Sequence, residues 1–302
     1  MRKKLVVMIA IILTTILTPF SALAFSFSPP RMFITLAPGQ EKSFSFQAVN
    51  ETPGEAQVHV QTRSFIASAE AGKPLFVNET PSSSLAPFVI LSATDFKMKP
   101  DEKRNYSFTV KLPNEVKPGS YYGAIHFSFS SEDNGRTVIA ITGPLVFLTV
   151  LGETEPSRLA IASFKSPTIE SSLPTSLSLS LRNDGNNVEV PSGEVVITNI
   201  FKKAVRSFKI NPDGLVMLPS DERNFILEEG ARNESIFDEF TNFGIGKYNI
   251  SVNVTGSQTR GVSMNNISFW ILPWKATSVV VVFSAILAAL LGYATARKRK
   301  SI

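Results

Sequence analysis

The sequence contains no cysteine and only two histidines among its 302 residues. Without cysteine the chain can form neither a disulfide, nor a thiolate metal site, nor a lipidated cysteine anchor, so its folded cores alone must stabilise it. The histidines, His59 and His126, are far apart in the sequence, and neither belongs to an H-x-x-H pattern. A P-loop, a dinucleotide-binding fingerprint and a G-x-S-x-G motif are also missing. We therefore predict a non-enzymatic protein with no catalytic residues, no cofactor and no metal ion.

Charge is distributed unevenly along the chain. Of the 30 basic residues, eight lie in residues 1–24 and 275–302, which contain no Asp or Glu. The part between them carries 22 basic residues against all 25 acidic ones, so it has no excess of positive charge. The isoelectric point near 9.3 therefore reflects the two ends of the chain, and we predict no nucleic-acid partner.

The N-terminal segment has the pattern of a secretory signal peptide. Arg2, Lys3 and Lys4 precede an apolar run, and Ala22-Leu23-Ala24 forms an A-x-A cleavage site. We predict a signal peptide over residues 1–24, with cleavage between Ala24 and Phe25. An uncleaved first membrane helix is the alternative.

The C-terminal segment has the pattern of a membrane anchor. Residues 276–296 are uncharged and mostly apolar, and as a helix they would extend for about 31 Å, close to the roughly 30 Å of a bilayer core. The pattern predicts a transmembrane helix over residues 275–296 in a single-pass cell-membrane protein with its N-terminal part outside. Small residues within this helix would also permit a homodimer. The flanking residues supply the predicted topology: an outer interface at Trp270, Trp274 and Lys275, and a cytoplasmic tail over 297–302 that begins with Arg297, Lys298, Arg299 and Lys300.

The part between the two ends is rich in strand patterns. Residues 43–49 and 56–63 alternate between polar and apolar side chains, which is typical of a strand with one buried face. Asn134-Gly135 predicts a hairpin turn between two further apolar segments. A polar break follows residue 152, and a second series of strand patterns begins after it. We predict an all-β fold class, with two tandem immunoglobulin-like β-sandwich domains over residues 25–152 and 153–274.

One long interruption separates the strand patterns of the first domain. Residues 67–87 contain Gly72, Pro74 and Pro81 around the apolar patch of Leu75 and Phe76. A loop of this length is either a ligand-contacting segment or a plain mobile insertion. Tyr121 and Tyr122 are adjacent in a predicted strand, so they point to opposite faces, and one of them is either exposed or meets the neighbouring domain. We predict a binding surface that comprises Tyr121, Tyr122, Leu75 and Phe76.

Several segments of the first domain resemble a known family. Residues 34–40 read ITLAPGQ, residues 49–52 read VNET, and residues 112–113 and 119–125 read LP and GSYYGAI. They resemble the L-x-PG, N-x-(S/T) and P…G-x-(hydrophobic)-G-G-I elements of the peptidoglycan-binding domain in WxL-interacting proteins of Gram-positive cell surfaces. Gly123-Ala124 stands where the family has Gly-Gly. A fainter resemblance to periplasmic pilus chaperones rests on Pro30-Arg31 and the N-terminal sandwich.

The resemblance to WxL-interacting proteins implies a function at the cell wall. We accordingly expect a membrane-anchored cell-surface protein that binds cell-wall polymer or another surface protein through its extracellular part. The alternative is an accessory or structural subunit of a membrane assembly that acts through its transmembrane helix and second domain.

Overall fold

The structure is a computed structural model, and it describes residues 25–68, 73–133, 136–152, 158–166, 168–228, 244–257 and 261–299. The chain forms two compact units that divide after Leu151, with Ile66–Leu75 and Pro118–Ser120 grouped with the second unit. The all-β fold class with two immunoglobulin-type sandwiches is confirmed. The domain boundaries at residues 25–152 and 153–274 stay a prediction.

The first unit is a sandwich of a four-stranded and a seven-stranded sheet. Its strands are β1 (Phe25–Ser28), β2 (Arg31–Leu36), β3 (Glu41–Asn50), β4 (Ala56–Ala67), β5 (Pro74–Val77), β6 (Val89–Leu91), β7 (Asp95–Met98), β8 (Lys103–Lys111), β9 (Gly119–Asp133), β10 (Arg136–Thr142) and β11 (Leu145–Val150). The small sheet has the order β1-β3-β8-β6. The large sheet has the order β2-β11-β9-β4-β5, with β10 also paired to β9 and β7 also paired to β4.

The core of the first unit is dominated by aromatic rings. Phe46, Tyr106, Phe108, Phe127 and Phe129 are each almost completely buried between the two sheets. Their ring centroids lie 5.1–6.3 Å apart where they meet, the spacing at which aromatic side chains attract each other. Because each buried Phe is worth about 1.5–3 kcal/mol, a chain without disulfides can hold this sandwich together.

The second unit is a sandwich of a three-stranded and a five-stranded sheet. Its strands are β12 (Leu159–Lys165), β13 (Ile169–Glu170), β14 (Ser176–Asn183), β15 (Ser192–Asn199), β16 (Ala204–Ile210), β17 (Glu222–Glu228), β18 (Gly246–Thr255) and β19 (Val262–Ile271). The orders are β12-β14-β17 and β13-β19-β18-β15-β16. Leu179, Leu181, Val195, Ile197 and Val252 fill the centre of its core, and each is fully buried.

A short sequence repeat marks the same turn in both units. Residues 98–105 read MKPDEKRN, and residues 217–224 read MLPSDERN. In each copy the turn leads into a strand that pairs with a strand ending in a buried asparagine, Asn50 in the first unit and Asn183 in the second. Asp101 and Ser220 occupy the same place in the two turns, with φ of 57° and 61°. The repeat shows that the two sandwiches share a common local design.

The segment predicted to be a loop over residues 67–87 contains a strand and a short 3₁₀ turn. Strand β5 lies inside it and extends the large sheet beside β4. Ser84 forms a bridge to Tyr122, and a short 3₁₀ turn covers Ala86–Phe88. The strand was hidden from sequence analysis because it is only four residues long and begins with a proline.

A single helix, α1 (Trp274–Arg299), follows the second sandwich, and the structure describes its side chains at residues 274, 277–279 and 281–292. A membrane-spanning helix needs about 20 consecutive, predominantly apolar residues. Over the described part of the chain, no helix satisfies both the length and the hydropathy that a membrane crossing requires. The transmembrane helix predicted over residues 275–296 is therefore corrected, together with the single-pass localisation and the homodimer that depended on it.

Candidate functional site

The large sheet of the first unit has an open strand edge at β10. Strand β9 is 15 residues long, and its second half pairs with β10 from Asp133↔Arg136 to Phe127↔Thr142. Strand β11 instead pairs with β2 in parallel, from Leu145↔Arg31 to Val150↔Leu36. Among the strands that the structure describes, none pairs with the far edge of β10.

A glycine–proline pair separates β10 from β11. A Cβ at Gly143 would lie 1.9 Å from the carbonyl oxygen of Ile125, so only glycine fits at this approach to β9. The carbonyl oxygen of Pro144 accepts a hydrogen bond from Ile125 N–H at 3.1 Å. Leu145 N–H then donates to Pro30 at 3.0 Å, which is where the pairing with β2 begins. The chain before Pro29 enters the other sheet as β1, and the position beside β10 is left open.

The outer face next to the open edge carries a polar row that lies beside one exposed isoleucine. In register across four strands lie Ile141 on β10, Ser128 on β9, His59 on β4 and Asp95 on β7. Ile141 is 59% exposed. His59 Nδ1 lies 2.8 Å from Asp95 Oδ1, and hydrogen bonds from His59 and Thr94 hold the pKa of the Asp95 carboxyl below its usual value.

Ser128, His59 and Asp95 follow one another in the order of a catalytic triad, but they lack the hydrogen bonding and the burial of one. No hydrogen bond joins Ser128 to His59, both of which the structure describes. The side chains of His59 and Asp95 are 54% and 61% exposed, whereas a working triad needs a buried carboxylate and oxyanion donors. Within the described residues there is also no group of three acidic or histidine side chains that could hold a metal ion.

A second feature of the outer face is a line of rings, here called the outer aromatic row. Neighbouring centroids lie 4.2–6.1 Å apart. The row consists of Phe33, Phe147, Phe65, Tyr122, Phe76 and His126. Phe33 is 60% exposed and Phe76 is 36% exposed, while the other rings of the row are buried.

His126 lies beneath one end of the outer aromatic row. Its ring is 4.2 Å from that of Phe76, and the residue is almost fully buried. Burial lowers the pKa of the His126 imidazole below its usual value, and the positive charge of Arg63 lowers it further. Arg63 is held nearby by donating to Asn78 Oδ1 at 2.9 Å.

The predicted binding residues lie at different levels of exposure. Tyr122 is buried on the outer face against Phe65, and Tyr121 packs edge-on against Phe88 and donates its hydroxyl hydrogen to Lys117. Burial raises the pKa of the Tyr121 hydroxyl. Leu75 and Phe76 are half exposed and adjacent on β5. A binding role for these four residues stays a prediction.

The predicted end residues are only partly described. Phe25 opens β1 and is buried against Phe129, with ring centroids 4.0 Å apart. Trp270 and Trp274 are both at least half exposed. The predictions for Ala24 and Lys300 concern residues outside the described part, as do those for the side chains of Lys275, Arg297, Lys298 and Arg299.

Sequence analysis predicted strand β10 but missed its open edge. The apolar run in residues 137–141 predicts a strand, whereas the absence of a neighbour depends on where β2 begins, more than 100 residues earlier in the chain. The nearest sequence signal is the pair Gly143-Pro144, which marks an interruption in an otherwise apolar strand pattern.

Neither a family model nor a curated protein matches this chain. Solved structures with a similar fold include the class 5 fimbriae chaperone CfaA, which is 12% identical over 81% of this chain and 99% of its own, with a TM-score of 0.41. The E. coli chaperone DraB is 8% identical over 81% and 96%, with a TM-score of 0.37. A protein of unknown function from Porphyromonas gingivalis W83 is 13% identical over 80% and 98%, with a TM-score of 0.32. At these values the similarity says nothing about what this chain binds.

The resemblance to WxL-interacting proteins is wrong. No family model matches, and the similar solved structures include fimbrial and other periplasmic chaperones. The quoted segments are turn and strand elements: the VNET segment, for example, places Asn50 in a buried turn. The predicted cell-wall binding rested on that resemblance, and the predicted cell-surface anchoring rested on residues 275–296. Both are therefore corrected, as are the wall, surface-protein and integral-membrane partners and the alternative of a subunit acting through a transmembrane helix.

Proposed function

We propose that the protein is a non-enzymatic binding protein that takes up an extended segment of a partner protein by strand addition along β10. The open edge of β10 is the observation that carries this proposal. An unpaired edge presents a row of N–H and C=O groups that an extended chain can satisfy. Seven residues, Arg136–Thr142, would supply about three or four outward-facing backbone groups of each kind to such a segment.

The composition of β10 supports the choice of this edge. Proteins usually protect edge strands with charges, bulges or short length. The edges of β6 and β1 are three and four residues long, β12 contains a bulge, and β16 contains Arg206 and Lys209. Strand β10 reads RTVIAIT, so it is uncharged after its first residue.

The position of β2 limits how far a segment added to β10 can extend. Strand β2 is the outermost strand of the same sheet, and it also has a free edge. A segment added to β10 would occupy the place that β2 takes beside β11, and it would stop where β2 begins at Arg31. Side-chain preference would come from alternate positions, where Ile141 projects from the outer face.

A peptide-binding experiment with matched controls tests the proposal. The probe is a fluorescent peptide of about eight alternating Thr and Val residues, and the control peptide carries proline at every second position. Fluorescence anisotropy should show binding of the first peptide and not of the second. Ile141→Lys should weaken binding, whereas Ile90→Lys, an exposed isoleucine on edge strand β6, should not. Equal binding of both peptides, or equal loss in both variants, would contradict strand addition at β10.

A further inference from the structure

One end of the five-stranded sheet in the second unit collects exposed apolar side chains. Asn199 on β15, Tyr248 on β18 and Phe269 on β19 lie in register across three neighbouring strands. The residues just beyond this row therefore emerge at the same end of the sheet. We call this set the sheet-end surface; its exposed apolar members are Ile200, Phe201, Ile245, Trp270, Leu272 and Trp274.

The most prominent part of the sheet-end surface is the hairpin tip over residues 200–203. Phe201 is 81% exposed and Ile200 is 62% exposed, although both are apolar. The tip is held in one shape because Asn199 Oδ1 accepts hydrogen bonds from Phe201 N–H and Lys203 N–H, each at 3.0 Å. Lys202 adopts φ of 59°, which closes the turn. A firmly held loop that presents Phe and Ile to solvent indicates an interaction surface.

The charge of the sheet-end surface has one sign. Lys202 and Lys203 follow Phe201 at the tip, and Lys247 lies in register with Trp270. Residues 199–203, 245–247 and 270–274 contain no Asp or Glu. Among the residues that the structure describes, the nearest carboxylate by register is that of Glu170, which lies opposite Ile271 and is only partly exposed. The partner of this surface should therefore be both apolar and anionic.

We propose that the sheet-end surface binds the headgroup region of an anionic phospholipid membrane, as a contact from one side that requires no helix to cross the bilayer. Membrane interfaces combine Trp and other aromatic side chains with lysines, and each lysine near an anionic leaflet strengthens binding about fivefold. Protein interfaces, in contrast, are depleted of lysine. A convex hairpin tip flanked by lysines fits a lipid surface better than it fits a protein groove.

The two tryptophans allow a direct test, because Trp270 and Trp274 are the only ones in the chain and both belong to the sheet-end surface. The full chain is titrated with vesicles of phosphatidylcholine that contain phosphatidylglycerol, and with pure phosphatidylcholine vesicles. Tryptophan emission should shift to the blue with the anionic vesicles and shift much less with the neutral ones. The double variant Lys202→Gln/Lys203→Gln should bind the anionic vesicles roughly 25-fold less tightly. The double variant Ile200→Ser/Phe201→Ser should bind them at least tenfold less tightly.

Matched controls separate the tip from the rest of the chain. Ile226→Ser removes an equally exposed isoleucine from β17, and Lys209→Gln removes an exposed lysine from the part of β16 distant from the tip. Both should bind as the unaltered protein does. Because every variant keeps helix α1, any affinity of the helix for lipid is the same in all of them. The proposal fails if the tip variants bind like the unaltered protein, if neutral and anionic vesicles bind equally, or if the emission shifts only when a protein partner is added.

Discussion

Asn50 and Asn183 perform the same structural task in the two sandwiches. Asn50 Nδ2 donates hydrogen bonds to the carbonyl oxygens of Met98 and Lys99 at 3.1 and 3.0 Å. Asn183 Nδ2 donates to Met217 and Leu218 at 3.4 and 3.1 Å. Both side chains are fully buried. Each asparagine thereby ties the end of one strand to the turn that carries the repeated sequence.

Replacing either asparagine by alanine should destabilise its sandwich. The change removes a buried side chain that donates several hydrogen bonds to backbone carbonyls, and each lost hydrogen bond costs about 0.5–1.5 kcal/mol. We expect Asn50→Ala and Asn183→Ala each to lower the free energy of unfolding by at least about 2 kcal/mol in urea titrations. Asn105→Ala, at an exposed position of the same repeat, should change it by less than about 0.5 kcal/mol. A small effect of Asn50→Ala would mean that the turn does not depend on this side chain.

Each copy of the repeat also contains one ion pair at equivalent positions. Arg104 and Glu102 form a partly exposed pair at 2.8 Å, and Arg223 and Asp221 form a pair at the same distance whose side chains are only 7% and 6% exposed. Removing a partner from a buried pair leaves an uncompensated charge, at a cost of about 3–5 kcal/mol, whereas exposed pairs contribute about 0–1 kcal/mol.

We therefore expect Arg223→Ala to destabilise the second unit far more than Arg104→Ala destabilises the first. Urea unfolding followed separately in the two units, by amide exchange of their strands, gives the comparison. Similar losses for both variants would show that the environment around Arg223 is more hydrated than its burial indicates.

The stability of the first unit should fall as the pH is lowered through the range in which free histidine titrates. The pKa of His126 is lowered in the folded chain, so below about pH 6.5 the unfolded chain binds a proton that the folded chain does not. The stabilisation is present at higher pH and is lost as the pH falls. The residues beside His126 carry no negative charge that would stabilise its protonated form. They are Gln61, which is in register with it, Arg63 and Phe76.

Thermal unfolding at about pH 7.5 and about pH 5 measures this effect. His126→Gln should reduce the difference between the two melting temperatures, and His59→Gln, at the exposed histidine, should reduce it less. An unaltered difference in His126→Gln would mean that other groups cause the pH dependence.

Gly143→Ala should disturb the junction that leaves β10 open. The added Cβ would lie 1.9 Å from the Ile125 carbonyl oxygen, so the backbone must shift, at a cost of about 1–3 kcal/mol. We expect a lower free energy of unfolding in urea and weaker peptide binding. In Gly261→Ala the new Cβ would lie an ordinary 3.4 Å from Thr255, so this variant is the control. Unchanged stability and peptide binding in Gly143→Ala would mean that the glycine is not required there.

Local sequence patterns predicted the strands and the hairpin between β9 and β10, but they predicted no pairing between strands distant in the sequence. The alternation in residues 43–49 and 56–63 lies within β3 and β4, because a strand with one buried face imposes a period of two on its own sequence. The open edge of β10 depends instead on the distant start of β2, which no local pattern encodes. The repeat around Met98 and Met217 was visible in the sequence, and a search for internal similarity would have found it.

The binding surface predicted from the sequence and the open edge of β10 involve different residues. Tyr122 and Phe76 do meet around one neighbour, since both rings contact Phe65 on the outer face. Ile141 and the polar row beside it were missed, because Ser128, His59 and Asp95 come together only through strand register. The membrane helix illustrates the opposite error, in which one local pattern was taken as sufficient.

Strand addition at β10 is tested most directly by hydrogen exchange of backbone amides with the alternating Thr/Val peptide bound. Exchange should slow at alternate residues within Arg136–Thr142, because their outward-facing N–H groups become hydrogen-bonded to the peptide. The amides of β2 and β6 should exchange at the same rate as without peptide. Protection confined to Arg31–Leu36, or no protection at all in β10 while the peptide is bound, would contradict it.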